Sequence, residues 1–319
     1  MNDELKVFSG NAHPKLAKAI ADSLHIPLGK CEVKPFSNEN TFVRVLENVR
    51  ERDVFIVQPI SSPVNSNIME LLIMIDAMKR ASARRITAVM PYYAYGRSDK
   101  KDQPRVPITA RLIADLLTVA GANRVLTLDL HKAQIQGFFN IPVDELTAFE
   151  LLTDYFKKHK KNIIKNLVVI ATDFGITKQA RDVAAWLGTS LAIMEKRRVD
   201  NNDNTELLNV IGDVKGKNAL IVDEEIDTAG SLVKVIDALK AKGAKEVYAF
   251  STHAVFSNDA VKKIDDSVLE KLYVTNSLPS AEKKSAKKKI EVISIAPLLG
   301  ETIKRIHTGK SVGALFAKQ

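Results

Sequence analysis

Short apolar runs that alternate with amphipathic helical stretches are the feature that most constrains this chain. The run "NLVVIATD" precedes "ITKQARDVAAWLG", and the run "NALIVDE" precedes "SLVKVIDALKAKG". Because the runs are apolar throughout rather than at alternate positions, both faces of each strand are expected to be buried. Strands of this kind between helices predict parallel sheets flanked by helices, an α/β fold. Ligands of such sheets bind at the carboxyl ends of the strands.

Part of the chain repeats itself. The segment "IDAMKRASARRITAV" from Ile75 and the segment "IDALKAKGAKEVYAF" from Ile236 are identical at six of fifteen positions, at an offset of 161 residues. That offset is about half of the 319-residue chain, so the repeat indicates two similar α/β units. We expect one domain over 1–146 and a second over 147–319, with a final helix and tail, 300–319, that can pack on the first domain.

Composition excludes several classes of protein. No run approaches the roughly 18 apolar residues of a membrane span, and "MNDELKVFSG" lacks the basic flank and apolar core of a signal peptide, so we expect a cytoplasmic protein. Cys31 is the single cysteine, which excludes an internal disulfide and a thiolate metal cluster. The net charge is +9, but the sequence contains neither a basic strand with interspersed aromatic residues nor the ligand spacing of a zinc site. The positive charge therefore favours anionic metabolites over nucleic acid as binding partners.

One strand end carries paired acids and then a turn of small residues. The apolar run 219–222 leads into Asp223 and Glu224, and 227–231 reads "DTAGS" before a helical pattern. Small residues let backbone N–H groups surround a phosphate, and vicinal hydroxyls suit the acid pair, so a sugar phosphate would satisfy both. The alternative is that Asp227 or Ser231 caps the helix and that the acids lie in a solvated loop.

The stretch also resembles the phosphoribosyl-pyrophosphate binding motif of the phosphoribosyltransferase fold. Further segments narrow the resemblance and cover almost the whole chain: "KPFSNEN", "NSNIMELLIMIDAMKRASA", "PYYAYGRSDKK", "LDLHKAQIQGFFNIPVD", "EKRR", "GAKEVYA" and "SVGALF". On these motifs the chain is identified as a member of the ribose-phosphate pyrophosphokinase family. The resemblance implies two phosphoribosyltransferase-like domains, each a mostly parallel sheet flanked by helices.

Members of this family transfer the β,γ-diphosphoryl group of ATP to the anomeric oxygen of ribose 5-phosphate and release AMP. The resemblance implies the same activity here, with Mg²⁺ as cofactor. It implies ATP and ribose 5-phosphate as partners, self-association to dimers and hexamers, and neither nucleic-acid nor membrane binding. Diphosphoryl transfer needs charge neutralisation and alignment more than covalent chemistry.

Two cationic side chains are the candidates for catalysis. A strand that ends at Met194 or Glu195 sends Lys196 and Arg198 to the same side, because side chains alternate along a strand. The resemblance makes both residues catalytic, through contacts to the transferred phosphates, and places Arg198 at the ribose 5-phosphate as well.

The resemblance also assigns the remaining candidate residues. It implies His131 and Asp173 as magnesium ligands, with Asp129 as a further acid near them. The segment 96–107 is polar and proline-marked, which is typical of a flap that closes over a triphosphate. The ATP-binding candidates are Phe36, Asn38, Glu39, Asn40, Arg97, Ser98 and Asp99. The ribose 5-phosphate candidates are Arg198, Asp223, Glu224, Asp227, Thr228, Ala229, Gly230 and Ser231.

The chain departs from the common family pattern at several places. Family members usually have aspartate at Glu224, glutamate at Asn40, glutamine at Ser98 and aspartate at Asn140, and a double glycine stands where this chain reads "DFGITKQAR". Glu224 keeps the charge of the acid pair, whereas Asn40 loses a charge. A second hypothesis is therefore a catalytically silent regulatory subunit that associates with a synthetase.

The end of the chain resembles part of a regulatory site. Ser311, Val312 and Gly313 follow the basic segment "KRIHTGK", and small residues beside Lys310 can hold a phosphate through backbone N–H groups. The resemblance implies ADP or phosphate as the ligand. The alternative is that this helix and tail only pack on the first domain.

Overall fold

The chain folds into two compact units. The computed structural model describes residues 4–198, 206–284 and 288–315, without the side chains of 196–198, 206–208 and 282–284. The first unit contains Met1–Leu146, Ser277–Pro279 and Ser294–Gln319, and the second contains Thr147–Asn276 and Ser280–Ile293.

The first unit is built on a parallel sheet with a separate hairpin. Its strands are β1 (Leu5–Ser9), β2 (Cys31–Pro35), β3 (Thr41–Val45), β4 (Asp53–Val57), β5 (Arg85–Met90), β6 (Arg124–Leu128) and β7 (Val143–Leu146). The sheet has the order β1-β4-β5-β6-β7, and all its pairs are parallel. Strands β2 and β3 pair with each other in an antiparallel hairpin. Every residue of β4 is buried, as expected for a strand that is covered on both faces.

Helices cover the sheet of the first unit. They are α1 (Pro14–Ser23), α2 (Val64–Arg80), α3 (Thr109–Ala120) and, from the end of the chain, α10 (Ala296–Thr308). Helix α10 packs against α1. Gly309, at φ 68°, ends α10 in the left-handed conformation, which a glycine adopts without steric cost.

The second unit contains a larger sheet. Its strands are β8 (Leu167–Ala171), β9 (Ser190–Arg198), β10 (Glu206–Ile211), β11 (Asn218–Ile226), β12 (Val247–Ala254), β13 (Lys271–Thr275) and β14 (Ile290–Ile293). The order is β10-β9-β8-β11-β12-β13-β14, in which β10 is antiparallel to β9 and the other pairs are parallel. Its helices are α4 (Phe149–His159), α5 (Lys161–Ile164), α6 (Thr177–Leu187), α7 (Gly230–Ala241), α8 (Ala260–Asp266) and α9 (Pro279–Lys284).

The apolar runs are buried on both faces, as the sequence predicts. In β8, Val168 and Ile170 belong to one core cluster, whereas Val169 and Ala171 belong to another. A strand whose alternate residues enter two different cores has no solvent-facing side, so it needs apolar residues at every position. The predicted α/β fold with mostly parallel sheets flanked by helices is confirmed.

The two units share a strand order. The first sheet reads β1-β4-β5-β6-β7, and the second contains β8-β11-β12-β13-β14 in the corresponding places. The repeated segments lie at equivalent points, since Ile75 is in α2 before β5 and Ile236 is in α7 before β12. The units differ at the hairpin, because β9 and β10 extend the second sheet whereas β2 and β3 stand apart from the first.

Two strands run further than the sequence predicts. Strand β11 does not end at Val222 but continues to Ile226, because Asp223 and Glu225 pair with Ser251 and His253 of β12. Strand β9 continues past Glu195 to Arg198, because β10 pairs with it along that length. The prediction ended both strands at the first polar residues. In the structure both strands continue through these residues, because their backbones pair with a neighbouring strand.

Among the described residues, no helix is both long enough and apolar enough to cross a bilayer.

Candidate functional site

The second unit gathers acidic and basic residues at one edge of its sheet. Strands β8, β9 and β11 are mutually parallel through β8, so their carboxyl ends share this edge. Asp173 follows β8, and Asp223 and Glu224 lie in the last part of β11. Ligands of parallel sheets bind at this kind of edge.

Asp223 is the most perturbed acid of this edge. Burial, followed by the charge of Glu224, raises its pKa to about 7, and Asp173 adds to the rise. A hydrogen bond from Thr172 and one from the backbone N–H of Glu225 oppose the rise without cancelling it. A carboxyl group whose pKa is raised by burial and by neighbouring negative charges is typical of a functional site.

The turn after β11 leads directly into a helix. Helix α7 begins at Gly230, and its N-cap residue is Ala229, at φ 60° in the left-handed conformation. The methyl group of Ala229 cannot accept a hydrogen bond, so this residue leaves the first N–H groups of α7 uncapped. The residue at the N-cap position is therefore neither Asp227 nor Ser231. Uncapped N–H groups at the amino end of a 12-residue helix suit an anion such as a phosphate.

Asp173 organises a short turn after β8. Its Oδ1 atom accepts hydrogen bonds from the N–H groups of Gly175, at 2.7 Å, and of Ile176, at 3.3 Å. The turn Phe174–Ile176 is a 3-10 helix that packs against β9 and β11. Ile176, the last residue of this turn, is buried, whereas Phe174 is 63% exposed.

The two catalytic candidates lie at the end of β9. Lys196 and Arg198 pair in register with Leu208 and Glu206 of β10. The side chains of Lys196 and Arg198 lie outside the described part of the structure. Their assignment as catalytic residues therefore stays a prediction.

In the first unit, the ATP-binding candidates between Phe36 and Asn40 lie at the tip of the β2–β3 hairpin. All residues from Phe36 to Asn40 are exposed. The Phe36 N–H donates to the Asn40 carbonyl at 2.7 Å, and the Asn40 N–H donates to Asn38 Oδ1 at 3.2 Å. The Phe36 ring is 51% exposed and lies 5.4 Å from the ring of Phe42. Phe36 is thus not a core residue and presents an aromatic surface on which a base can stack.

The predicted flap is a loop with a fixed base. Residues 100–105 are all exposed. The base is tied down where the Ser98 N–H donates to the Tyr95 carbonyl, at 2.8 Å, and the Ala110 N–H donates to the Ser98 carbonyl, at 3.2 Å. An added Cβ at Gly96 would lie 3.5 Å from the Cβ of His131, so the base of the loop adjoins this magnesium candidate.

His131 follows β6 in a polar turn. Asp129 is buried at φ 34°, and its N–H donates to the Leu146 carbonyl at 2.9 Å. Glu145 accepts from the Leu130 N–H at 2.9 Å and from the Gln136 amide. Burial raises the pKa of Glu145 although both hydrogen bonds oppose the rise. Asp129, Leu130 and His131 are thereby held to β7, the neighbouring strand.

The regulatory candidates form an exposed turn after α10. The Ser311 carbonyl accepts from Arg305 Nη1 at 2.9 Å, and Ser311 Oγ accepts from the Ala314 N–H at 3.3 Å. Val312 and Gly313 lie within the same turn. Helix α10 belongs to the first unit.

The candidates are divided between the two units. Those at 173, 196, 198, 223, 224 and 227–231 belong to the second unit, and those at 36–40, 97–99, 129, 131 and 311–313 belong to the first. Within the described ranges, no group of three or more His, Cys, Asp or Glu side chains is arranged to hold a metal by itself.

Sequence reasoning missed two residues at the second unit's edge. Thr172 bonds to Asp223, and its position directly before Asp173 at a strand end was the available signal. Phe174 is a large exposed ring in the turn that packs against β9 and β11. The departure of "DFGITKQAR" from the family's double glycine is the sequence signal that points to this aromatic residue.

This fold, with its acid-rich strand end and the turn that leads into α7, defines an α/β protein built from two units with the same strand order. Residues 5–121 match the family model described as the N-terminal domain of ribose phosphate pyrophosphokinase. Residues 201–317 match the model described as the phosphoribosyl synthetase-associated domain.

Full-length relatives agree with these models. The ribose-phosphate pyrophosphokinase of Caldanaerobacter subterraneus subsp. tengcongensis is 49% identical, over 98% of both chains. Ribose-phosphate pyrophosphokinase A of Dictyostelium discoideum is 48% identical, over 99% of both chains. The crystal structure of phosphoribosylpyrophosphate synthetase from Mycobacterium smegmatis superposes with a TM-score of 0.90 at 42% identity, over 96% of this chain and 100% of that chain.

The chain belongs to the ribose-phosphate pyrophosphokinase family of enzymes. The family predicted from the motifs is confirmed. The relatives named above are enzymes by name, so they do not favour the alternative of a silent regulatory subunit.

Proposed function

We propose that this chain transfers the β,γ-diphosphoryl group of ATP to the anomeric oxygen of ribose 5-phosphate. The bond between the α- and β-phosphates of ATP breaks, AMP leaves, and the anomeric hydroxyl loses its proton as 5-phosphoribosyl 1-diphosphate forms. The observation that carries this proposal is the acid pair of β11, held beside Asp173 and followed by the uncapped start of α7.

Ribose 5-phosphate binds at the end of β11 in this proposal. Asp223 and Glu224 accept hydrogen bonds from the vicinal hydroxyls of the ribose, since carboxylates are acceptors with several lone pairs. The 5-phosphate lies on the N–H groups of 228–231, where the amino end of α7 favours negative charge. Asp227 borders the same turn, and its carbonyl accepts from the Ser257 N–H at 3.0 Å.

Lys196 and Arg198 supply positive charge to the transferred phosphates. The sequence-based expectation that alternation along a strand puts Lys196 and Arg198 on the same side supports this role. Fixed cations stabilise the charge that develops as AMP leaves, and they need no reorganisation at that moment. Arg198 also contacts the ribose 5-phosphate in this proposal.

ATP binds through the first unit's loops. Phe36 stacks on the base, and its half-exposed ring supports this role. Asn38, Glu39 and Asn40 surround it with polar groups. Arg97, Ser98 and Asp99 contact the nucleotide from the base of the segment 96–107, which closes over the triphosphate and excludes water.

Mg²⁺ is the proposed cofactor, with His131 and Asp173 as protein ligands and Asp129 as a nearby acid. Mg²⁺ prefers oxygen ligands, keeps several waters and commonly takes one or two carboxylates plus substrate phosphates. The acids of the second unit fit such an ion, because Asp173 and Glu224 already raise the pKa of Asp223 by their charge. When bound, the ion neutralises phosphate charge.

The proposal includes self-association to dimers and hexamers and a cytoplasmic place of action. The resemblance to the family supports the self-association. The use of ATP and ribose 5-phosphate as substrates supports the cytoplasmic place of action.

One experiment tests the reaction. Purified protein is incubated with Mg²⁺, ATP and ribose 5-phosphate, and AMP is followed by chromatography. We expect AMP and 5-phosphoribosyl 1-diphosphate in equal amounts, dependent on all three additions. Formation of ADP instead of AMP, or no turnover at all, would overturn the proposal.

A further inference from the structure

A buried carboxylate in the first unit receives three hydrogen bonds. Glu70 of α2 is 7% exposed. Its Oε1 atom accepts from the Asn11 N–H at 2.6 Å and from Gln58 Nε2 at 2.7 Å, and its Oε2 atom accepts from Asn11 Nδ2 at 2.7 Å. All three partners are donors, so the site suits a carboxylate, which only accepts, and does not suit a side-chain amide.

The network lies at the carboxyl ends of two strands. Gly10 and Asn11 follow β1, and Gln58 follows β4. Gln58 Oε1 accepts from the Ala12 N–H at 3.0 Å. A Cβ at Gly10 would lie 2.2 Å from Gln58 Oε1, so only glycine permits this approach. Glu70 therefore fixes the loop after β1 against the end of β4.

Asn11 carries the connection on to the hairpin. Its Nδ2 atom, which donates to Glu70, also donates to the Val33 carbonyl of β2 at 3.2 Å. Val33 is three residues before Phe36, where the exposed tip begins. The chain of bonds thus runs from α2 through Asn11 to β2.

In the described part of the chain, packing of β3 on α2 and an ion pair between Lys6 and Glu47, shortly after β3, also hold the hairpin. Strands β2 and β3 pair with each other and not with the main sheet. Their apolar side packs against the core through Cys31, Val33, Val43 and Val45. Apolar packing is not directional, whereas a hydrogen bond fixes orientation.

The negative charge of Glu70 affects the pKa of a residue at the start of the hairpin. Burial, followed by the charges of Glu70 and Glu32, raises the pKa of Cys31 to about 11. Cys31 is the first residue of β2. This electrostatic contact agrees with the hydrogen bonds in placing the carboxylate beside the hairpin base.

We propose that Glu70 is a positioning residue for ATP, which acts through Asn11 to orient the hairpin that carries Phe36–Asn40. The inference rests on the proposed function, because it takes the hairpin tip as the nucleotide contact. Glu70 itself does not touch the substrate.

The substitution Glu70→Gln tests this chain of bonds specifically. The new amide can place its NH₂ group against Asn11 Nδ2, which is also a donor. A flip of the Asn11 side chain removes this conflict, because it turns the Asn11 oxygen towards the new NH₂ group. After that flip, the Asn11 oxygen faces the Val33 carbonyl, and two acceptors cannot bond to each other. The tie to β2 is then lost while the bonds to Gln58 and to the Asn11 N–H can remain.

Steady-state kinetics with Mg²⁺ supply the measurement. We expect Glu70→Gln to raise the KM for ATP about five- to tenfold, the effect of losing one neutral hydrogen bond. The kcat and the KM for ribose 5-phosphate should stay within about twofold, since the bond-breaking groups are untouched. Asp76→Asn is the matched control, because Asp76 lies on the same helix in an exposed ion pair with Arg80.

Two further variants separate this inference from the proposed function. Asn11→Ala removes the tie directly and should reproduce the ATP effect, and it carries the test if Glu70→Gln does not fold. Phe36→Ala tests whether the hairpin tip contacts ATP. If Phe36→Ala leaves the KM for ATP unchanged, the nucleotide assignment of the proposed function fails and the inference fails with it.

The remaining outcomes concern Glu70 alone. If Phe36→Ala raises the KM for ATP but Asn11→Ala and a folded Glu70→Gln do not, the inference is wrong and the proposed function stands. A fall in kcat together with comparable rises in both KM values would show that Glu70 has a general structural role. That result would also overturn the inference. Hydrogen exchange supplies the second readout: in Glu70→Gln, the β2–β3 amides should lose protection while the β4–β5 amides keep theirs.

Discussion

The imidazole Nδ1 of His307 lies 2.9 Å from Oδ2 of Asp53, across 254 residues of sequence. Asp53 is fully buried at the start of β4. Arg85 Nε also donates to Asp53, at 2.8 Å, and Arg85 Nη2 donates to the Ile306 carbonyl at 3.1 Å. One buried carboxylate therefore connects α10 to the amino ends of β4 and β5.

The first prediction is that Asp53→Ala strongly destabilises the first unit. Removing one partner of a buried ion pair leaves the others uncompensated, so we expect the free energy of unfolding to fall by about 3 kcal/mol. Chemical denaturation gives the measurement. Asp76→Ala, which removes an exposed ion pair on α2, is the control and should cost less than about 1 kcal/mol. Equal effects of the two substitutions would show that the buried cluster does not hold α10.

Much of the fold could be predicted because its signal is local. The run "NLVVIA" is apolar at every position, and β8 enters a different core on each face. The helical pattern that follows the acid pair likewise forms a helix, α7, which begins at Gly230 near the end of "DTAGS". Such features depend on residues close in sequence.

The rest could not be predicted because it depends on partners distant in sequence. Strand β11 continues through Asp223 because β12 pairs with it. The acidic segment contains no local signal that predicts this pairing. The bond between Asn11 and Glu70 joins residues 59 positions apart. Neither residue belongs to a motif that indicates the other, so only the fold reveals the network.

The second prediction concerns pH and Asp223. An unfolded aspartate titrates near about 3.9, whereas Asp223 in the folded protein titrates at about 7. The folded protein therefore binds more protons between these values, and the stability from protonated Asp223 is complete below about pH 4 and is lost as pH rises through 7.

Thermal unfolding without metal or substrate checks this sign. As pH rises from about 5 to about 7.5, the melting temperature of the wild type should fall relative to that of Asp223→Asn, because the asparagine cannot ionise. Asp237→Asn changes an exposed acid on α7 and should follow the wild type. A constant difference between the wild type and Asp223→Asn would contradict the raised pKa.

The third prediction is that Asp227→Asn chiefly weakens ribose 5-phosphate binding. An amide offers fewer acceptors to hydroxyl groups than a carboxylate does, so we expect the affinity for ribose 5-phosphate to fall about tenfold. Isothermal titration with each substrate gives the answer. If the affinity for ATP falls and that for ribose 5-phosphate does not, the turn after β11 binds the other ligand.

The fourth prediction is that Lys196→Ala lowers kcat about 100- to 1000-fold, the usual loss for one group that stabilises transition-state charge. ATP binding should be largely retained. Arg197→Ala is the matched control, because the alternation rule for strands groups Lys196 with Arg198 and leaves Arg197 out of that pair. Single-turnover kinetics distinguish the two variants. Similar losses for both would mean that the cations act as a general basic patch rather than as aligned groups.

The last prediction concerns regulation at the turn after α10. Ser311, Val312 and Gly313 lie beside Lys310 in an exposed turn, where backbone N–H groups can bind a phosphate. We expect ADP to inhibit beyond simple competition with ATP, and Ser311→Leu to weaken that effect without abolishing catalysis. Lys304→Ala, an exposed change on α10, should leave inhibition intact. Initial rates at saturating ATP, with and without ADP, provide the measurement. Purely competitive inhibition that is unchanged in Ser311→Leu would mean that this turn serves only to pack α10 against the first unit.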